Sequence, residues 1–166
     1  LHEQTLILKG SAESSCSTFL DSSEDAVYHD SLSAGEIGLC RYILFKRKFV
    51  AFFYGDMKAA AESFEMGNEY PLGPNGRLCH ITLGTVIDGL MAFFFARKHR
   101  EDEIRWWNIA ESVMDLTRQW ANNSEWNFIN KLHLLEAECH FYKGEERQAL
   151  DKYMQSIKAA HDHHFI

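Results

Sequence analysis

The amino-acid sequence predicts an all-α protein, a superhelical stack of about three antiparallel helix hairpins. Three observations carry that expectation. From residue 35 onward, apolar residues recur at spacings of three and four, the period of one helix face. Glycines punctuate the ends of these runs. Two segments, FFYGDMKAAAESF at 52–64 and FYKGEERQALDKY at 141–153, share one pattern of aromatics, Gly, a small residue and a further aromatic. A self-similar helix pair that recurs about every 40 to 50 residues is the signature of a solenoid.

Composition agrees. The chain has 166 residues, 46% of them apolar and only 2 of them proline, which suits one packed and mainly helical domain. The net charge of −7 disfavours a nucleic-acid partner, although Arg41, Lys46, Arg47 and Lys48 form a local basic run. MAFFFA at 91–96 is followed at once by Arg97, Lys98 and Arg100, so no membrane span is expected. Cys16, Cys40, Cys79 and Cys139 are widely separated and form no C-x-x-C pair, which reads as reduced thiols in a cytoplasmic or other reducing compartment. The chain lacks an initiator Met and a signal peptide and stops at His-His-Phe-Ile, so it is expected to be an internal piece of a longer protein.

Residues 1–34 read as an N-terminal extension and flexible loop, with a short helix or strand at 1–9 and one helical turn near Glu24 to His29. The helical-repeat domain then covers 35–166, with hairpins at about 35–67, 78–121 and 126–160. In the first hairpin, Ile37, Cys40, Leu44, Phe45, Phe49, Phe52 and Phe53 form an apolar face that Gly55 ends, and Asp56 caps a shorter helix carrying Ala60 and Phe64. PLGPNG at 71–76 is a turn. The helix at 78–97 is apolar on nearly all sides and should be buried, with Gly84 and Gly89 at points of close approach. After a charged link at 98–103, Trp106, Ala110, Val113, Thr117 and Trp120 share one face of the fourth helix, while Ile109 and Leu116 mark another. A polar break, ANNSE, precedes the fifth helix at Trp126–Tyr142, and Gly144 separates that from the sixth.

The spacing Gly-x4-Ala-x3-aromatic resembles the second half of a tetratricopeptide repeat, with Ala137 and Ala149 at its small-residue positions, although the Trp-Leu-Gly-Tyr signature of the first repeat helix is absent. That resemblance implies a right-handed α-α superhelix. FVAFFYGDMKAAAESF and the stretch RQWANNSEWNFINKLHLLEAECHFYKGEERQALDKYMQSIKAAHDHHFI are similar to the helical region of large multi-sensor signalling proteins. In that family a serine/threonine-kinase-like domain and an AAA-type ATPase module precede the helices, and GAF, histidine-kinase or cyclase domains follow. The likeness spans roughly residues 35–166 and is densest after 115. It implies a segment that joins other domains and carries no catalytic residue.

Chemistry is sparse in the sequence. No G-x-S-x-G elbow, P-loop or dinucleotide fingerprint occurs, so no catalytic residue and no cofactor is expected. His161, Asp162, His163 and His164 form the densest ligand-type cluster, but a solvated tail is the simpler reading and no metal is expected. His133 and His140 share a helix face with Glu136 and read as packing or surface residues. Glu101, Asp102 and Glu103 sit where negative charge favours a helix N-terminus. The aromatics Phe93, Phe94, Phe95, Trp106, Trp107, Trp120 and Trp126 cannot all face one core, and Phe94, Trp106, Trp107 and Trp126 are the candidate partner-binding residues. The expected function is protein–protein interaction or scaffolding, with neighbouring domains or a protein partner; a sensor of a small apolar ligand near the aromatic middle hairpin is the alternative. A truncated stack exposes apolar ends, so self-association is also expected.

Overall fold

The computed structural model describes residues 22–70 and 79–165. Among the described residues all regular structure is helical, with no strand. The order is α1 (Ser22–Ser33), α2 (Ile37–Phe53), α3 (Met57–Asn68), α4 (Cys79–Lys98), a 3-10 turn (Arg100–Asp102), α5 (Glu103–Asn123), α6 (Glu125–Tyr142) and α7 (Glu146–Asp162). The chain divides into two compact units, residues 1–84 and 85–166. The reading of 1–9 and of the PLGPNG turn lies outside the described residues.

One module recurs three times. Gly35, Gly55 and Gly144 hold φ at 76°, 75° and 76°, a left-handed conformation that costs glycine nothing. In each case the glycine amide donates to the carbonyl three residues back (Leu32, Phe52, Phe141), and the next amide, that of Glu36, Asp56 or Glu145, donates to the carbonyl five back. That is a Schellman stop, which satisfies the orphan carbonyls of the ending helix. The acid then starts the following helix, and its carbonyl accepts from the amide four residues on: Cys40 at 3.2 Å, Ala60 at 3.0 Å and Ala149 at 2.9 Å. All three of those small residues are buried, and Leu44, Phe64 or Tyr153 follows four positions later. The expected copies at Gly55 and Gly144 are therefore joined by a third at Gly35, where Cys40 fills the small-residue position. At Asp56 the side chain also accepts from the Ala59 amide at 3.1 Å, completing the N-cap the sequence suggests.

In the first unit α1 packs on α2 and α2 on α3. Tyr28, Cys40, Ile43 and Leu44 form its core, with Leu32 and Met66 packed against them. Here the expected single helical turn is a full helix of 12 residues. Its apolar face is thin, essentially Tyr28 and Leu32, and the rest of its hold on α2 is ionic. Lys46 Nζ lies 2.9 Å from Glu24, and Arg47 Nη2 lies 2.6 Å from Asp25. Arg47 also places its guanidinium 5.6 Å from the centroid of the Tyr28 ring. The local basic run is thereby consumed: Arg41 donates to the carbonyls of Gly67 and Tyr70, and Lys48 is buried over the Phe64 ring.

In the second unit α5 packs on α6 and α6 on α7. From Val86 to Ala96, α4 buries Val86, Ile87, Met91, Ala92, Phe93, Phe95 and Ala96, as its all-round apolar pattern requires. A side chain at Gly89 would collide with Val113 of α5 and Leu135 of α6, so α4 lies against both helices there. On α5 the buried face is Trp106, Ala110, Val113, Thr117 and Ala121, with Trp120 half-buried and Leu116 exposed. The polar break at ANNSE shrinks to one residue, because α5 runs through Asn123 and α6 starts at Glu125, leaving Ser124 alone outside both helices.

Carboxylates of α6 tie this unit together. Glu138 receives Arg97 of α4 at 2.8 Å and the Tyr153 hydroxyl of α7 at 2.6 Å. Burial and that hydrogen bond to a carboxylate both push the Tyr153 hydroxyl pKa up. Glu136 receives Lys152 of α7 at 2.7 Å and His133 at 3.3 Å, with Arg118 of α5 at 3.8 Å. Burial alone would raise the Glu136 carboxyl, but the hydrogen bonds from Lys152 and His133 outweigh it and hold the group below its ordinary value of 4.5. A depressed carboxylate pKa contributes stability that is present above its unfolded value and is lost as pH falls through the folded one. The second unit should therefore lose stability on acidification below about pH 4.5, and Glu136→Gln should flatten that limb. Thermal melts of both proteins between pH 3 and 6 check this (a window around the ordinary carboxylate range of roughly 4); parallel acid limbs would refute it.

Candidate functional site

The aromatic residues singled out in the sequence separate into two groups. The first is built where α4, α5 and α6 meet. Because each step along a helix turns the side chain by about 100°, Phe93 and Phe95, two positions apart, point to different neighbours, and so do the adjacent Trp106 and Trp107. Phe95 stacks on Trp106 with ring centroids 4.8 Å apart and planes 27° apart. Phe93, fully buried, meets Trp107 edge to face at 6.1 Å. Trp107 in turn stacks on Tyr142 of α6 at 4.9 Å, and the Tyr142 hydroxyl donates to Glu103. Lys143 and Arg105 complete the edge, lying 5.6 Å from the Trp107 centroid and 4.7 Å from that of Trp106.

This group is a packed aromatic core with a cationic rim. Trp106 is buried, so it holds helices together and presents no surface. Phe94 is half-buried, with its ring edge-on to Phe95 at 5.3 Å. Trp107 is half-buried between Phe93 and Tyr142. An apolar ligand here would have to displace rings already in contact with one another.

Trp126 belongs to the second group, at the other end of α6. It is 54% exposed, and His163 stacks on it at 4.2 Å and 15° while the His163 Nδ1–H donates to the Trp126 carbonyl at 2.8 Å. The chain reaches this position because α7 ends in the same Schellman geometry as the glycine turns, here with His164 at φ 59°. Phe165 then lies 4.5 Å from the Lys131 ammonium, which also donates to the Asn127 carbonyl at 2.7 Å. Burial lowers the Lys131 pKa. Trp120 and Phe128 pack at 5.4 Å between α5 and α6.

The histidines singled out in the sequence are spread over different partners. The His161–His164 cluster does not converge: His163 turns to Trp126, and His161 stays near Asp162 at 3.8 Å. His133 and His140, expected to share a face about Glu136, go to different carboxylates, Glu136 and Glu145. Among the described residues no group of three or more His, Cys, Asp or Glu side chains could hold a metal ion. Cys40 and Cys139 are buried free thiols. No helix among the described residues is long and apolar enough to cross a membrane. A shallow depression of about 570 Å³ follows one face of α5, lined by Asn108, Glu111, Ser112, Asp115, Leu116 and Gln119, and its lining is mostly polar.

No protein-family model matches the chain, and comparison with curated proteins and with solved structures finds no match. The functional reading therefore rests on the residues themselves.

One exposed feature was not singled out in the sequence. Leu150, Met154 and Ile157 on α7 are 59%, 62% and 61% exposed, and their spacing of four and three puts them in a single row. The signal was present in the sequence, but periodicity alone does not tell a covered stripe from an open one.

Proposed function

We propose that the chain is a non-catalytic interaction, scaffold or linker module of a larger signalling protein, a helical-repeat domain of the tetratricopeptide-like kind. The observation that carries this reading is how its side chains are spent. Glu136, Glu138, Glu24 and Asp25 pair across neighbouring helices, and the large aromatics of α4 and α5 stack on one another. Large apolar side chains meanwhile stand exposed on helix surfaces, Trp126 at one end of α6 and Leu150, Met154 and Ile157 along α7. Carboxylates paired in this way hold neighbouring helices together, whereas exposed apolar rows gain free energy only when something covers them. The thrice-repeated turn of Gly, acid and buried small residue supports the repeat architecture, since it places successive helices by one steric rule.

The test is affinity capture from an extract of the source organism with the intact chain immobilised. A defined set of proteins should be retained, and Trp126→Ala should reduce at least one of them severalfold while leaving the circular dichroism spectrum unchanged. Turnover of a substrate by the isolated chain, or retention of nothing, would defeat the reading.

A further inference from the structure

We infer that the exposed row on α7 is a homotypic interface, at which two copies of this chain pair antiparallel about a twofold axis. This rests on the reading of the chain as an interaction module and names one partner for it. α7 has two separate faces. Ala149 is buried and Tyr153 and Ser156 half-buried toward α6, where the Ser156 hydroxyl donates to the Asn130 carbonyl at 2.7 Å. The second face, about a quarter-turn or more around the helix, carries Glu146, Leu150, Met154, Ile157 and His161, all exposed.

The order of residues along that face selects the occupant. Reading from the N-terminal end, it runs acid, three apolar residues, then imidazole. Lay a second α7 across it antiparallel with the axis beside Met154. Leu150 then faces Ile157 of the other copy, and Glu146 faces the other His161, so each end of the row meets its complement. A parallel pairing would set Glu146 against Glu146 and oppose nothing favourable to it. Antiparallel helices also align their dipoles favourably, and a twofold arrangement uses each contact twice. Because only three large apolar side chains are involved, the contact is far below the roughly 800 Å² per partner of a standard interface. The dimer is accordingly weak in isolation, and the −7 charge on each copy opposes it until salt screens the repulsion.

Sedimentation equilibrium of the intact 166-residue chain, at physiological ionic strength and up to about 1 mM, should show a reversible monomer–dimer equilibrium. Met154→Glu sets two carboxylates against each other at the axis and should raise the dissociation constant at least about tenfold, with unchanged helical content because Met154 is mostly exposed. Glu146→Lys and His161→Glu should each weaken pairing, and the double variant, which exchanges the two ends, should restore it. A monomer at every concentration overturns the proposal. So does association that survives Met154→Glu, which would place the contact elsewhere, or a charge exchange that fails to rescue, which would deny the antiparallel register. None of these outcomes alters the capture experiment with Trp126→Ala, so the two readings fail separately.

Discussion

Phe93→Ala should remove about 4 kcal/mol from the stability of the second unit. Phe93 is fully buried in α4, and its ring meets Trp107 edge to face at 6.1 Å. Truncation strips most of the apolar area of the side chain from the core and leaves a cavity that the stacked pair of Trp107 and Tyr142, 4.9 Å apart, is poorly placed to fill. Domains of this size hold only about 5 to 15 kcal/mol in all, so a large part of the total would go. The measurement is clean because the 4 tryptophans, at 106, 107, 120 and 126, all fall in the second unit. Denaturation followed by tryptophan emission therefore reports that unit alone, and its midpoint should drop sharply. Ile104→Ala provides the comparison: Ile104 is 78% exposed on the neighbouring helix, and its loss should change stability by less than about 0.5 kcal/mol. Equal effects of the two substitutions would mean that the aromatic core is not where the packing energy lies.

How much of this was legible beforehand depends on the distance between cause and effect along the chain. The stops at Gly55 and Gly144 could be read directly, because a left-handed residue at a helix end leaves a local mark, a glycine followed by an acid and then a small residue. The copy at Gly35 carries Cys40 instead of alanine, and the same steric requirement was hidden by the change of residue type. α1 exceeds the single turn that its own residues predict for a different reason. Its partners Lys46 and Arg47 lie 22 residues from Glu24 and Asp25, and no window along the sequence can see an ion pair at that range. The same pairing turned an apparent basic patch into an internal clamp.

The candidate site divides along the same line. That Trp106 and Trp107 could not both be buried followed from helix geometry, but which of them faces inward depended on the rings α4 supplies, Phe95 for the first and Phe93 for the second. Trp126 is exposed, and its stacking partner His163 comes from the far end of α7, 37 residues away. Leu150, Met154 and Ile157 show what periodicity leaves open. Their spacing identifies a stripe, whereas its exposure is a property of what stands next to α7, and the sequence of one helix contains no such information.

Gly89 supplies the sharpest case in which a sequence expectation can be converted into an energy. A β-carbon there would lie 2.7 Å from Val113 Cγ1 and 2.8 Å from Leu135 Cδ2, where carbon atoms normally rest about 3.5 to 4.0 Å apart. Gly89→Val brings two further methyl groups into that space and should destabilise the second unit by about 3 kcal/mol, with the same tryptophan readout. Gly89→Ala is the more informative variant, because two effects oppose each other in it. Alanine gains about 1 kcal/mol of helix propensity at an interior position, while the clash pushes α4 away from α5 and α6. The clash wins, and Gly89→Ala is destabilising. Val113→Ala should then cost less in the Gly89→Ala background than alone, by at least about 0.5 kcal/mol, since it removes one of the two atoms that collide. Gly55→Ala makes the contrast: nothing lies within 4 Å of its β-carbon, so its cost comes only from the left-handed backbone at φ 75° and no neighbouring truncation should relieve it. A stabilised Gly89→Ala protein would show that propensity prevails and that α4 does not sit against Val113 and Leu135.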